Sequence, residues 1–181
     1  HVAPGLGNGL GAIYGALKAR SPLVITAGQQ DTRMRMRSPL LSHDLVAMAA
    51  PVTKWSVEPT SADEIGPIMQ RAFKIAQEAP AGPVFVALPI NVMEQDSTVA
   101  ATTMGHAFDA VIPDAGGIEQ LQQLLAAASS PVIIAGDEVA RSGAFHTLVL
   151  LAEQLGAPVY NEPLRAQVAF PNNHPSYAGR L

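Results

Sequence analysis

Pro22-Leu23-Val24-Ile25-Thr26-Ala27-Gly28 carries no charge and, apart from Thr26, no polar side chain. A strand with one wet face alternates apolar and polar residues. A run without that alternation suits a strand buried on both sides, as in a parallel sheet covered by helices. Pro83-Val84-Phe85-Val86-Ala87-Leu88-Pro89 has the same character, and so do Pro131-Val132-Ile133-Ile134-Ala135 and Pro158-Val159-Tyr160. Between these runs the apolar residues fall at helical spacing. Leu10, Ile13, Tyr14 and Leu17 predict a helix over about 8–18. Ile65, Ile68, Met69, Ala72 and Ala76 predict a second, opened by Ser61-Ala62-Asp63-Glu64 as a capping box and closed by Pro80-Ala81-Gly82. Further helices are expected over about 43–49, 117–128 and 142–155, with a short strand over 53–57. Strands alternating with helices indicate an α/β chain: parallel sheets with helices on both faces.

From about residue 91 to 113 the apolar period disappears and small polar residues dominate, as in a surface linker. The expected organisation is one α/β unit over 1–97, a linker over 98–113 and a second unit over 114–181, each unit incomplete. Of the 181 residues 48% are apolar and only 14% charged, against roughly 25% charged in ordinary soluble domains. Much of the surface is therefore expected to lie against other protein. Plentiful apolar residues and a net charge of −4 exclude a disordered chain. The absence of Cys excludes a disulfide scaffold and thiolate metal sites. No apolar run approaches the 18 or so residues of a membrane span, and the mild acidity argues against nucleic acid as a partner. The chain opens on His1 without leader-like character and stops after a Pro-rich turn, so we expect an internal piece of a longer, cytoplasmic protein.

His1-Val2-Ala3-Pro4-Gly5-Leu6-Gly7-Asn8-Gly9-Leu10-Gly11 is the densest cluster of special residues. It reads as a Gly-rich loop entering a helix. Glycines at alternate positions let a flat ligand approach the backbone, and they equally serve close packing alone. Leu10 stands where the dinucleotide fingerprint needs its third Gly, and no Lys-Ser/Thr follows as in a P-loop. Arg33, Arg35 and Arg37 alternate with Met34 and Met36. In an extended segment they would share one side, but a solvated loop or a subunit contact is the favoured reading. His43, His106, His146 and His174 have no partner at metal spacing, so we assign no metal site. His174 suits a turn with a structural hydrogen bond, and Trp55 suits the core. Asp137 and Glu138 follow a strand end, where α/β folds bind ligands, which leaves a flavin or nucleotide site open there.

The order His-x-Ala-x-Gly-x-Gly-Asn, then Ser-Pro-Leu-Val-Ile-Thr-Ala-Gly-Gln-Gln at 21–30, resembles the thiamine-diphosphate-dependent decarboxylases, the benzoylformate decarboxylases in particular. The resemblance continues through Val52-Thr53-Lys54-Trp55-Ser56-Val57-Glu58-Pro59, residues 81–89 and Phe170-Pro171-Asn172-Asn173-His174-Pro175, and so covers nearly the whole chain. It implies that residues 1–97 are the second half of a pyrimidine-binding domain and that residues from 114 onward begin a central domain. It also implies His1 as the catalytic proton-transfer residue, with Gly5, Gly7 and Asn8 beside the cofactor and Gln29 and Gln30 at a strand end nearby. An imidazole suits that task, because its ordinary pKa of about 6.5 lets it give and take a proton near neutrality. Thiamine diphosphate and Mg²⁺ are the implied cofactors, with the diphosphate, the metal and the activating Glu supplied outside this chain. A homodimer or homotetramer acting on a small 2-oxo acid is the implied assembly. Pro4 and the basic loop 31–38 depart from the benzoylformate decarboxylase pattern. A Gly-Pro-Gly loop is instead a feature of the acetolactate synthases, so a carboligase of that type is the alternative. A non-catalytic nucleotide-binding module is the alternative of another class.

Overall fold

The computed structural model describes residues 1–100 and 112–181. The chain divides into two compact units, His1–Ala110 and Val111–Leu181. Residues 101–111 of the expected linker lie outside the described residues.

The first unit runs α1 (Val2–Lys18), β1 (Val24–Gln29), a 3-10 turn (Thr32–Arg37), α2 (Leu45–Ala49), β2 (Trp55–Val57), α3 (Ala62–Gln77), β3 (Val84–Pro89) and α4 (Ile90–Met93). Its sheet is parallel with order β1-β3-β2, in register from Val24 opposite Val84 to Gln29 opposite Pro89. The central strand is buried on both faces, as its sequence requires. Phe85 and Ala87 pack with Leu6 and Ile13 of α1 and Leu45 and Ala49 of α2, whereas Val84 and Val86 pack with Ala72 and Ala76 of α3. Burying Phe85 completely contributes about 1.5–3 kcal/mol before entropy is counted.

Several local details differ from what the sequence suggests. The glycines of the opening stretch lie inside α1, which begins at Val2 and not near Asn8. Val2, Leu6 and Ile13 are buried on one stripe of this helix, and their packing outweighs the roughly 1 kcal/mol that each interior Gly costs relative to Ala. The Arg-rich segment is a 3-10 turn and not extended, so its three guanidinium groups do not form one row. At the start of α3 only half of the capping box forms. The Ser61 side chain makes no cap bond, while the Glu64 carboxylate accepts from the Thr60 N–H at 2.6 Å. The opposite end of α3 is closed by Lys54, whose Nζ donates to the carbonyls of Ile75 and Glu78.

The second unit runs α5 (Ala115–Ala127), β4 (Ile133–Ala135), α6 (Asp137–Arg141), α7 (Phe145–Leu155), β5 (Val159–Asn161) and β6 (Tyr177–Arg180). Its parallel sheet has the order β4-β5-β6. Ala135, Ala152, Val159, Ala169 and Phe170 form its core. The helix expected over 142–155 is α7, which starts at Phe145; a short helix not expected, α6, precedes it, and Gly143 between the two adopts φ +68°. The last strand, only four residues with Gly179 inside it, was not apparent from periodicity.

Candidate functional site

Because α1 leads back into β1, the first turn of the helix lies beside the last residues of the strand. Carboxyl ends of parallel strands are where α/β folds bind ligands. A cavity of about 310 Å³ opens there, lined by His1, Val2, Gly5, Leu6 and Gly28 among others. His1 caps the helix and is exposed. Val2 is buried yet holds φ +49°, a region that β-branched residues avoid, so the surrounding packing must over-determine it. A Cβ at Gly5 or Gly28 would meet nothing within 4 Å, which leaves the cavity wall bare backbone that a flat ring can approach. Gly7 and Asn8 are exposed and do not line this cavity; a Cβ at Gly7 would come within 3.9 Å of Met48.

Gln29, the last residue of β1, lines a second cavity of about 460 Å³ with Arg35, Ser38, Ser42, His43 and Glu58. Its side chain is buried and donates from Nε2 to the His43 carbonyl at 2.8 Å. Gln30 donates its N–H to Gln29 Oε1 at 2.8 Å and its Nε2 to the Leu40 carbonyl at 3.0 Å. The Arg side chains of the 3-10 turn serve local structure: Arg33 donates to the Asp31 carboxylate, and Arg35 pairs with Glu58. The Arg33 hydrogen bonds hold the Asp31 carboxyl below the usual carboxylate range. Thr32 and Asn91 exchange two hydrogen bonds, at 2.9 and 2.8 Å, and fasten the turn to α4.

In the second unit Asp137 opens α6 and accepts the N–H groups of Ala166 and Gln167 at 2.9 Å. Burial alone would raise this carboxyl; those two N–H groups, together with the charges of Arg141 and Arg165, outweigh it and hold it below the usual range. A Cβ at Gly136 would stand 2.4 Å from Glu162 Oε2, so that carboxylate fills the space above the glycine. A phosphate at this strand end would therefore meet two of the chain's own carboxylates. Asn161, fully buried at the end of β5, donates from Nδ2 to Asn172 Oδ1 at 3.2 Å, while its Oδ1 has no hydrogen-bond partner. No sequence pattern singled out Asn161, because it is a lone Asn after a short strand. His174 accepts the Ser176 N–H at Nδ1, which leaves Nε2 facing Glu153 Oε1 at 3.3 Å, as expected of a turn histidine. Trp55 packs in the core cluster under α3, with the Arg71 guanidinium 4.9 Å from its ring centre. Among the described residues no group of three or more His, Cys, Asp or Glu is placed to hold a metal ion. Among them, too, no helix is long and apolar enough to cross a membrane.

Residues 118–181 match the family described as thiamine pyrophosphate enzyme, central domain. The whole chain is 31% identical to the benzoylformate decarboxylase of Pseudomonas aeruginosa over 184 positions, covering 100% of this chain and 35% of that protein. It is 29% identical over 192 positions to a probable acetolactate synthase large subunit of Methanocaldococcus jannaschii, covering 98% of this chain and 31% of that protein. Among solved structures it superposes on the thiamine diphosphate-dependent 4-hydroxybenzoylformate decarboxylase of Rhodococcus jostii with a TM-score of 0.93 at 33% identity, covering 100% of this chain and 35% of that one. The benzoylformate decarboxylase of Polynucleobacter necessarius gives 0.91 at 33% identity, with 100% and 34% covered. The chain thus spans about a third of the length of these relatives.

Proposed function

We propose that this chain is a segment of a thiamine pyrophosphate enzyme, one that decarboxylates a 2-oxo acid to an aldehyde. Residues 1–97 are read as the second half of the pyrimidine-binding domain, 98–113 as a linker and 114–181 as the first half of the central domain. The observation that carries this reading is the meeting of His1 and Gly5 with Gly28 at the carboxyl end of β1.

The residues present fit the pyrimidine end of the cofactor. Gly5 and Gly28 leave bare backbone against which a flat heterocycle can lie, and His1 supplies an exposed imidazole at the same mouth. The diphosphate and Mg²⁺ are assigned to parts of the protein outside these residues. When bound, thiamine diphosphate supplies the electron sink that accepts the pair released as CO₂ leaves. His1 delivers a proton to the carbonyl oxygen of the 2-oxo acid as charge develops there, and takes it back when the aldehyde carbonyl re-forms. Gly7 and Asn8 lie outside the first cavity, and Gln29 and Gln30 follow Gly28 at the strand end, with Gln29 in the second cavity. A homodimer or homotetramer in the cytoplasm is the proposed state, consistent with the low charged fraction of 14%.

The acetolactate synthase likeness supports one second reading, a carboligase that joins two 2-oxo acids. The test is His1→Ala in the full-length protein. Loss of a positioned proton-transfer group should lower kcat by about 10²–10⁴-fold while thiamine diphosphate binding, measured by calorimetry, is kept. An unchanged kcat would remove His1 from the chemistry and favour the non-catalytic reading of the glycine-rich stretch.

A further inference from the structure

We propose that Gln29 and Gln30 are positioning residues: together they hold the segment 38–43 across the end of β1 and so fix the wall of the second cavity, which begins at Gln29, one residue on from the Gly28 of the first, and takes the variable end of the substrate. This rests on the reading of the site as a 2-oxo acid site. The hydrogen bonds carry the argument. Gln29 Nε2 donates to the carbonyl of residue 43, and Gln30 Nε2 to the carbonyl of residue 40, at 2.8 and 3.0 Å. The Gln30 N–H closes the set on Gln29 Oε1. This network permits only one orientation of the Gln29 amide, since the flipped amide would set oxygen against carbonyl and N–H against N–H.

The segment needs such restraint. Ser38 and Leu41 both stand at positive φ, +45° and +72°, conformations that L-residues keep only when neighbours over-determine them. Leu40 is 84% exposed and contributes little burial of its own. The other backbone bonds of this stretch are the Ser38 N–H to the Arg35 carbonyl, the Ser42 N–H to the Pro39 carbonyl and a long 3.4 Å bond from Ala3 to the Leu41 carbonyl. Yet the segment supplies Ser38, Ser42 and His43 to the 460 Å³ cavity. One buried amide, Gln29, and one half-buried amide, Gln30, therefore hold the wall's backbone and govern its shape, the usual relation between a supporting contact and the site it supports.

The test uses Gln29→Glu and Gln30→Glu in the full-length protein. Each swaps the donor for a carboxylate oxygen of the same shape, which repels the carbonyl it faced. Three readouts are taken: hydrogen exchange of residues 38–43, the ratio of kcat/KM for phenylglyoxylate against pyruvate, and the Kd for thiamine diphosphate with Mg²⁺. Exchange should rise and the ratio should shift, each by about tenfold as for loss of a hydrogen bond to a held partner, while the Kd stays put. A weakened Kd with unchanged exchange would overturn the proposal and make the glutamines cofactor contacts. Unchanged exchange and ratio would overturn it as well. Gln30→Ala, at a half-buried position, gives the same readouts should Gln29→Glu fail to fold. If the wild type turns over neither acid, the functional reading fails, and the exchange of residues 38–43 still decides whether the glutamines hold the segment.

Discussion

At the residue scale the side chain with the clearest single task outside the cavities is Asp137, whose carboxylate fastens residues 166 and 167 to the start of α6. Its folded pKa is depressed, so the unfolded chain binds more protons than the folded one in the acid window. Its contribution is therefore present above its unfolded pKa of about 4 and is lost as the pH falls through the lower folded value. Asp137→Asn should flatten that part of the acid-unfolding profile and leave the profile above pH ~6 nearly parallel to wild type. An acid limb unchanged by the substitution would show that another carboxylate governs it. Residues of this kind were only partly legible in advance. Asp137 was visible as an acid after a strand, but its partners lie 29 and 30 positions away and no local pattern reveals them. The same holds for Gln29 and Gln30: the sequence placed them at a strand end, and only the fold brings the carbonyls of residues 40 and 43 to their amides.

At the element scale α1 and α7 show what glycine does in opposite settings. Gly15 lies inside α1 with nothing within 4 Å of an added Cβ. Gly15→Ala should therefore stabilise by about 0.5–1 kcal/mol, because the unfolded chain loses freedom and the helix gains a better former. Gly156 caps α7 at φ +59°, where a Cβ is strained whatever the space, so Gly156→Ala should destabilise by about 1 kcal/mol. Denaturant unfolding of both variants checks the pair; equal shifts of one sign would refute the argument. Strands β1 and β3 were readable because an unbroken apolar run has few other uses. The start of α1 was not, because four glycines signal a loop locally. The stripe of Val2, Leu6 and Ile13 that overrides them gains its energy only from the sheet it covers. Strand β6 was missed for a related reason, since its pairing to β5 is irregular and its sequence is short.

At the scale of the whole molecule, the chain spans about a third of the relatives it resembles. The low charged fraction, 14%, fits a piece made to lie against more protein. Its exposed apolar side chains fit the same view, with Ile134 at 61% and Leu124 at 71%. The fold class followed from the strand and helix periods alone. The cavity did not, because His1 and Gly5 meet Gly28 only in the fold. The most direct measurement is the stoichiometry of CO₂ released and 2-oxo acid consumed by the full-length protein, with and without thiamine diphosphate and Mg²⁺. We expect one CO₂ and one aldehyde for each acid consumed, and no turnover without the cofactor. One CO₂ for every two acids consumed would make the protein a carboligase, and turnover independent of thiamine diphosphate would refute the assignment of His1 and the glycine-lined cavity to that cofactor.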